Sequence, residues 1–429
     1  MGLLGHGTVD YIASLFAMWR NGIIACPINP SITAMELKGL DERIQATAYL
    51  SSYTCRDRLE GHIDTPFLDL ETEKTLPDHS TVSSRISPES NSLFIQTSGS
   101  SGEAKTVVLT YSQLYYSARG LNGAIDLGAD DRWLLTLPLY HVGGIGVLVR
   151  SFLAGGTVLI VNNPRFLLKT IRDHEVTRIS LVSTQLIRLL DEMADKPMGR
   201  QFKLKTLLLG GSAIPASLIR RGLSMGLPLL TSYGLSEMAS TVTLKDHREV
   251  PENLSSSGVI LKYRNLKIDK NDEIWLKGEP RFSGYWRQGR LEVPADADGW
   301  FPSGDLGRIN DAGELELTGR RDRLFISGGE NIQPEEIERC LREMPGIIEC
   351  RVIAVPHLRY GHRPVAFLKT PDGMPPDPEQ IRLFLKDRLT KFKIPDQFYS
   401  WPEIPPGQLK PSITDFRNCL KKKMIETRY

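Results

Sequence analysis

Cysteine is scarce, and what there is carries no pattern. Five cysteines in 429 residues, odd in number and without a CxxC pair, exclude a disulfide scaffold and offer no metal-ligand spacing. A dominant charge sign is missing too. The 53 Lys+Arg stand against 51 Asp+Glu, a formal net charge of +2, so no global field recruits nucleic acid or an acidic membrane. The basic run Lys421-Lys422-Lys423 is short and reads as a solvated helix end. No apolar stretch reaches the roughly 18–20 residues of a membrane span. The first twenty residues lack a basic n-region and a small-residue cleavage site, so no secretory signal is expected. Internal repeats and low-complexity tracts are absent. What is there is 41% hydrophobic and 24% charged, long enough for two or three folding units of about 150 residues. The expectation is a reduced, cytoplasmic enzyme; a homo-oligomer is compatible with this composition.

The organisation is that of alternating helices and apolar strands. Tyr11, Ile12, Leu15, Phe16 and Trp19 recur at helical spacing, with Gly22 where a helix end is expected. Ile23–Pro27 reads as a short buried strand, and Thr33-Ala34-Met35-Glu36 as a capping box opening a second helix. Ala46–Leu50 reads as another strand. Residues 56–90, polar and with three prolines, read as an irregular connection. Trp133–Leu137 and Thr157–Val161 read as strands around an apolar helix, Ile179–Val182 as a strand before a helix from Ser183, and Thr206–Leu209 as a strand entering Gly210-Gly211. Beyond about residue 257 short β segments follow. This pattern predicts an α/β protein: a large N-terminal domain, 1–320, of parallel-type sheets with a small β-rich part, then a small α+β C-terminal domain, 321–429.

The strongest local signal is Thr97-Ser98-Gly99-Ser100-Ser101-Gly102-Glu103-Ala104-Lys105. Small and hydroxyl residues let successive amides turn toward one anion, and Lys105 adds a point charge, so a phosphate loop is the natural reading. It is one position from a Walker A loop, Ala104 replacing the second glycine. A Walker lysine opens a helix, whereas Thr106-Val107-Val108-Leu109-Thr110 is strand-like. A flexible Ser/Gly linker is the competing reading, but linkers rarely sit between two apolar strands.

Five further segments are bland singly. Leu137–Gly144 (LPLYHVGG) ends a strand in a histidine loop, and Leu207–Pro215 (LLLGGSAIP) delivers a strand into glycines that admit a flat ligand edge. Ser232–Glu237 (SYGLSE) gathers an aromatic, a hydroxyl and a carboxylate at a strand end. Ser303-Gly304-Asp305-Leu306-Gly307 and the run from Gly319 to Ile332 (GRRDRLFISGGENI) complete the set. Taken alone, the aspartate is a turn former and the arginines are surface charges.

Their joint order resembles that of the adenylate-forming superfamily, which includes acyl- and aryl-CoA ligases. The phosphate loop, LPLYHVGG, YGLSE, SGDLG, the GRRDR–SGGENIQPEEIE run and a late lysine appear in family sequence, over roughly residues 8–420. LVSTQLIRLL, LLLGGSAIP, YGLSEMASTV, GYWRQG, LFISGGENIQPEEIE and GHRPVA are similar to the branch that ligates 2-succinylbenzoate to CoA in menaquinone synthesis. Ser101, Ala104 and Ser236 replace the usual Thr, Pro and Thr. Lys410, in PPGQLK, resembles that branch's arrangement, with Lys421–Lys423 as rivals. The chain also begins where the family's first sheet is half complete, as if the start were shortened or misassigned.

The resemblance implies two half-reactions. A carboxylate attacks the α-phosphate of ATP, and the acyl-adenylate then yields to the thiol of CoA. It implies that Glu237 holds Mg2+, and that Thr97, Ser98, Gly99, Ser100, Ser101, Gly102 and Lys105 cradle phosphate. Tyr233 would stack on adenine, flanked by Gly211, Ser212 and Ala213, with Ser232, Gly234 and Ser236 lining the nucleotide. Asp305 would accept the ribose hydroxyls beside Arg320, and Lys410 would bridge carboxylate and α-phosphate. The acid is an aromatic dicarboxylate, so a cation or several donors must hold its second carboxylate. Arg188 is the candidate, with Ser240 and Thr241 as hydroxyl donors and His141 at the pocket mouth. Asp322 would be the hinge of a mobile C-terminal domain, and Gly328-Gly329 would face the CoA channel. Three other readings stand beside this one: a ligase of another aryl or medium-chain acid, a P-loop ATPase, and a non-catalytic scaffold.

Overall fold

The structure, a computed structural model, describes residues 1–70, 86–98, 104–161, 166–194, 202–211, 214–248, 254–328, 330–374, 376–403 and 411–426. They form two compact units. One is Met1–Leu266 with Leu276–Phe301 and Asp311–Leu315; the other is Lys267–Trp275, Pro302–Asn310 and Glu316–Tyr429.

The first unit is built on three sheets. Cys26–Ile28, Gly2–Leu4, Tyr49–Ser51 and Phe67–Asp69 pair in that order, all parallel. A seven-stranded sheet runs Val259–Ile260, Ser240–Asp246, Leu229–Leu235, Thr206–Leu209, Arg178–Leu181, Arg132–Leu134, Thr157–Leu159; Ser240–Asp246 is antiparallel to both its neighbours and the other pairs are parallel. Its central strands Arg178–Leu181 and Thr206–Leu209 are buried on both faces, which is why they read as near-continuous runs. The third sheet is antiparallel: Asn91–Ser98, Ala104–Thr110, Gly284–Arg287 and Arg290–Glu292.

Local signals explain the helix ends. Thr33 Oγ1 accepts the Glu36 N–H at 3.2 Å while Glu36 Oε2 accepts the Thr33 N–H at 2.8 Å, the reciprocal cap expected of that sequence. Gly22, at φ +68°, closes the helix Val9–Arg20 in the left-handed conformation that a side chain disfavours.

Four expectations need correction. The strand expected over Ile23–Pro27 covers only Cys26–Ile28. The stretch 56–90 is not wholly irregular: it includes most of the helix Tyr53–Leu59, and the strand Phe67–Asp69 lies in it. A seven-residue helix and a three-residue strand are too short to print a period. The strand expected over Ala46–Leu50 runs instead from Tyr49 to Ser51. The strand beginning at Arg132 stops at Leu134 rather than Leu137, because the chain must turn through Pro138 into the helix Val142–Ala154.

In the second unit, Glu330–Ile332, Phe325–Ser327, Gly361–Lys369 and Glu349–His357 pair in order, and Phe398–Ser400 joins Gly361–Lys369. The long hairpin of Glu349–His357 with Gly361–Lys369 is antiparallel over nine residue pairs, which makes it the backbone of the unit. The helix Pro334–Arg342 lays Ile337 and Leu341 against Val352 and Leu368, and Pro378–Lys386 adds Ile381 and Leu385. The α/β and α+β classes expected from the sequence are the classes found.

Candidate active site

The glycine-rich segment lies within a hairpin. Thr97 stands opposite Lys105 and Ser98 opposite Ala104, so the strand ladder reaches both ends of the loop. Strand, loop, strand is incompatible with a Walker fold, in which the lysine must open a helix. Gly99, Ser100, Ser101 and Gly102 lie outside the described residues, as do Ser212, Ala213, Gly329 and Lys410.

Lys105 and Glu237 meet through a tyrosine that sequence reasoning missed. Lys105 Nζ lies 4.8 Å from the centroid of the Tyr285 ring, a cation–π distance. The Tyr285 hydroxyl donates to Glu237 Oε1 at 2.7 Å. The Phe282 N–H fixes the Glu237 carbonyl at 2.8 Å. Tyr285 stands opposite Val107 on the strand after the phosphate loop, so sheet pairing rather than sequence proximity brings it there. The signal was present in GYWRQG, but nothing local singles out its tyrosine.

Glu237 sits in the single turn Ser236–Met238, after the strand Leu229–Leu235. Tyr233 is buried on that strand, where the pairing register shifts between Tyr233 and Gly234. Gly234 is obligatory: a Cβ there would lie 2.2 Å from the Ser240 carbonyl oxygen. Ser232 Oγ donates to the Leu209 carbonyl at 3.0 Å, tying the YGLSE strand to the strand that ends at Gly210-Gly211. Ser240 and Thr241 continue the hairpin, Thr241 opposite Gly234. The Ser240 hydroxyl accepts from Arg150 at 3.0 Å, leaving its own proton to donate.

His141 is the residue before the helix Val142–Ala154, its side chain exposed and its ring 4.6 Å from that of Tyr140. Arg188 is exposed on the helix Ser183–Met193, whose buried stripe is Leu186, Leu189, Leu190 and Met193. Neither position is brought into contact with Glu237 by a described hydrogen bond.

In the second unit, Arg320 NH1 donates to Asp305 Oδ1 at 2.9 Å, while its Nε and NH2 take the two oxygens of Asp322 at 3.1 and 3.0 Å. Burial pulls the Arg320 guanidinium down, but the bonds and charges of Asp322 and Asp305 win and raise it. Ser303 Oγ accepts the Asp305 N–H at 3.1 Å, fixing the turn. Asp305 therefore has the arginine beside it that the resemblance implied. Asp322 bonds Arg320 within the Arg321–Arg323 turn. Gly328, at φ +60°, donates its N–H to the Tyr360 carbonyl at 2.9 Å.

The described residues contain no cluster of three or more His, Cys, Asp or Glu that could hold a metal. A single carboxylate, Glu237, fits the coordination habit of Mg2+, which takes one or two protein carboxylates and fills its shell with water and phosphate oxygens.

Comparison with known proteins agrees with this geometry. Residues 1–286 match the AMP-binding enzyme family and 336–406 the AMP-binding enzyme C-terminal domain. The 2-succinylbenzoate–CoA ligase of Escherichia coli (strain K12) is 36% identical over 336 residues, covering 76% of this chain and 67% of that protein. The o-succinylbenzoate CoA synthetase of Bacillus subtilis, solved with the acyl-adenylate intermediate OSB-AMP, superposes with a TM-score of 0.84 at 27% identity, over 96% of this chain and 88% of that one. The same enzyme in complex with ATP and magnesium ion gives a TM-score of 0.83 at 27% identity, over 93% and 84%.

Proposed function

The chain belongs to the AMP-binding enzyme family, and we propose that it is an AMP-forming acid–CoA ligase that converts 2-succinylbenzoate to its CoA thioester for menaquinone biosynthesis. The observation that carries this reading is the convergence on Tyr285 of the phosphate-loop lysine and the YGLSE carboxylate.

The physical obstacle is two anions approaching one another. Lys105, on the strand Ala104–Thr110, and the loop amides offset the charge of the triphosphate. Glu237 would hold Mg2+, which when bound would supply Lewis-acid neutralisation of the phosphates. Tyr285 keeps the Glu237 carboxylate pointed at that position. Tyr233, with Gly211, Ser212 and Ala213, takes the adenine; Asp305, oriented by Arg320, accepts the ribose hydroxyls. Lys410 bridges the substrate carboxylate and the α-phosphate. Arg188, reachable from solvent, binds the second carboxylate, with Ser240 and Thr241 as donors and His141 at the mouth. ATP, Mg2+ and CoA are the partners. The five cysteines are all free and no described helix can cross a membrane, which fits the cytoplasm where ATP and CoA are found.

Two chemistries in one site call for two poses. On this reading the mobile part begins after residue 320, with Asp322 as pivot. In one pose Lys410 reaches the phosphates; in the other Gly328-Gly329, lacking side chains, line the CoA channel. Lys410→Ala should abolish adenylation yet still pass a supplied acyl-adenylate to CoA. Asp322→Pro, which restricts φ at the pivot, should keep pyrophosphate exchange and lose thioester formation. Parallel loss of both half-reactions in both variants would remove the two-pose account. The substrate assignment is tested by thioester formation from ATP, CoA and a panel of acids, with 2-succinylbenzoate expected above benzoate and octanoate. Equal turnover of a monocarboxylate would sink it.

A further inference from the structure

Two arginines are buried in the first unit without a carboxylate partner among the described residues. Arg150 is 2% exposed and Arg264 5% exposed, a placement that charged side chains adopt only with compensation. Burial pulls Arg150 down to about 10; burial and the charge of Arg150 pull Arg264 down to about 9, so both stay charged at neutral pH.

The chain makes room for both. A Cβ at Gly146 would lie 2.7 Å from Arg150 NH2, and one at Gly120 would lie 2.4 Å from Arg264 NH1. Each guanidinium thus occupies a slot that a glycine opens on a neighbouring helical turn.

Both converge on one place. Arg150 NH2 donates to Ser240 Oγ at 3.0 Å. Arg264 NH2 donates to Ser117 Oγ at 3.1 Å, and Ser117 Oγ donates in turn to the Ala239 carbonyl at 2.6 Å. Ala239 and Ser240 follow Glu237 by two and three residues and have φ of +49° and +108°. Neither is glycine, so this left-handed turn is strained and persists only where its surroundings over-determine it.

We propose that Arg150 and Arg264 are positioning residues for the adenylation site: they grip the strained Ala239–Ser240 turn from two sides and so set where Glu237 presents its carboxylate. The arginines touch neither nucleotide nor acid; they act through Ser240, Ser117 and the backbone. This rests on the assignment of Glu237 to Mg2+ above. It goes further in naming what holds Glu237 in place.

The test leaves both buried cations in the fold and removes only their grips. Ser240→Ala and Ser117→Ala are made in the full chain, and ATP affinity is measured by calorimetry with Mg2+ and with EDTA. The ratio of the two affinities should fall about tenfold in each variant, the size of a lost hydrogen bond to a charged group or its relay. In Glu237→Gln the ratio should already be lost, and adding Ser240→Ala should lower it no further, since both changes act on one group. A purely structural role would lower the melting temperature of the serine variants and leave the ratio intact, and that result would overturn the proposal. So would an additive fall in the double variant. If the wild-type enzyme binds ATP equally well with and without Mg2+, the assignment of Glu237 itself fails and the positioning role falls with it.

Discussion

Among the described residues, two buried arginines of the first unit have no acid beside them, unlike the arginines of the second unit's GRRDR turn and unlike the first unit's own Arg178, which meets Asp131 at 3.0 Å. In the second unit each arginine of GRRDR has an acid: Arg320 bonds Asp305 and Asp322, Arg321 bonds Glu273 at 2.6 Å, and Arg323 bonds Glu335 and, at 2.6 Å, Glu338. Glu338 is 2% exposed and also accepts the Val352 N–H at 2.9 Å. Burial pushes its carboxyl up, but Arg323 first, then Arg351 and Arg342, hold it below its ordinary value. In the first unit Arg150 and Arg264 bond hydroxyls and carbonyls behind a turn that bears a carboxylate. Breaking a buried ion pair is costly because it leaves a charge uncompensated, whereas a buried charge with no acid already costs stability and is expected where it serves the reaction.

The comparison breaks first on stability. Arg323→Met should cost about 3 kcal/mol in denaturant unfolding, because it removes the main partner of buried Glu338 and leaves it Arg342 at 3.3 Å. Arg150→Met removes a buried charge that no acid compensates, and should stay within about 1 kcal/mol of wild type while lowering exchange activity. Equal destabilisation by the two changes would erase the distinction.

On rate the order reverses. Glu237→Gln should leave unfolding almost unchanged and slow ATP–pyrophosphate exchange by about 10²–10³, the effect of losing one preorganised electrostatic group. Arg188→Ala is a smaller change. It should raise KM for the dicarboxylate alone, by about 1.5–3 kcal/mol of binding, and an unchanged KM would remove Arg188 from the pocket.

The smallest effect sharpens the comparison through pH. His247 is buried, its Nε2 2.9 Å from Thr231 Oγ1, and burial first, then the charge of Lys245, lowers it to about 4, against opposing pulls from Asp246 and Glu314. A histidine whose folded pKa is depressed stabilises the fold fully above its unfolded value near 6.5 and loses that contribution as pH falls toward 4. About 1 kcal/mol should disappear across that window once solvent screening is allowed for, and His247→Gln should flatten the loss. An unaltered pH profile in the variant would show that other groups set the acid limit.

Much of this was legible in the sequence because the signals were local. The Thr33–Glu36 cap needs only four residues, and the β-branched run after Lys105 announced a strand, which excluded a Walker helix. Arg320 beside Asp305 followed from the resemblance, and the turn geometry agrees. Tyr285 did not announce itself, since its bond to Glu237 spans 48 residues of sequence and depends on strand register. Arg150 and Arg264 were equally silent. Their burial depends on Gly146 and Gly120 opening space, and nothing local in the sequence ties Arg264 to the distant Gly120.

The central claim is most directly tested by ATP–pyrophosphate exchange without CoA, in the presence of single acids. Exchange should be negligible with no acid, strong with 2-succinylbenzoate, and weaker with benzoate and octanoate. ATP hydrolysis that proceeds without acid, or exchange with no acid at all, would contradict an adenylate-forming site built on Lys105, Tyr285 and Glu237.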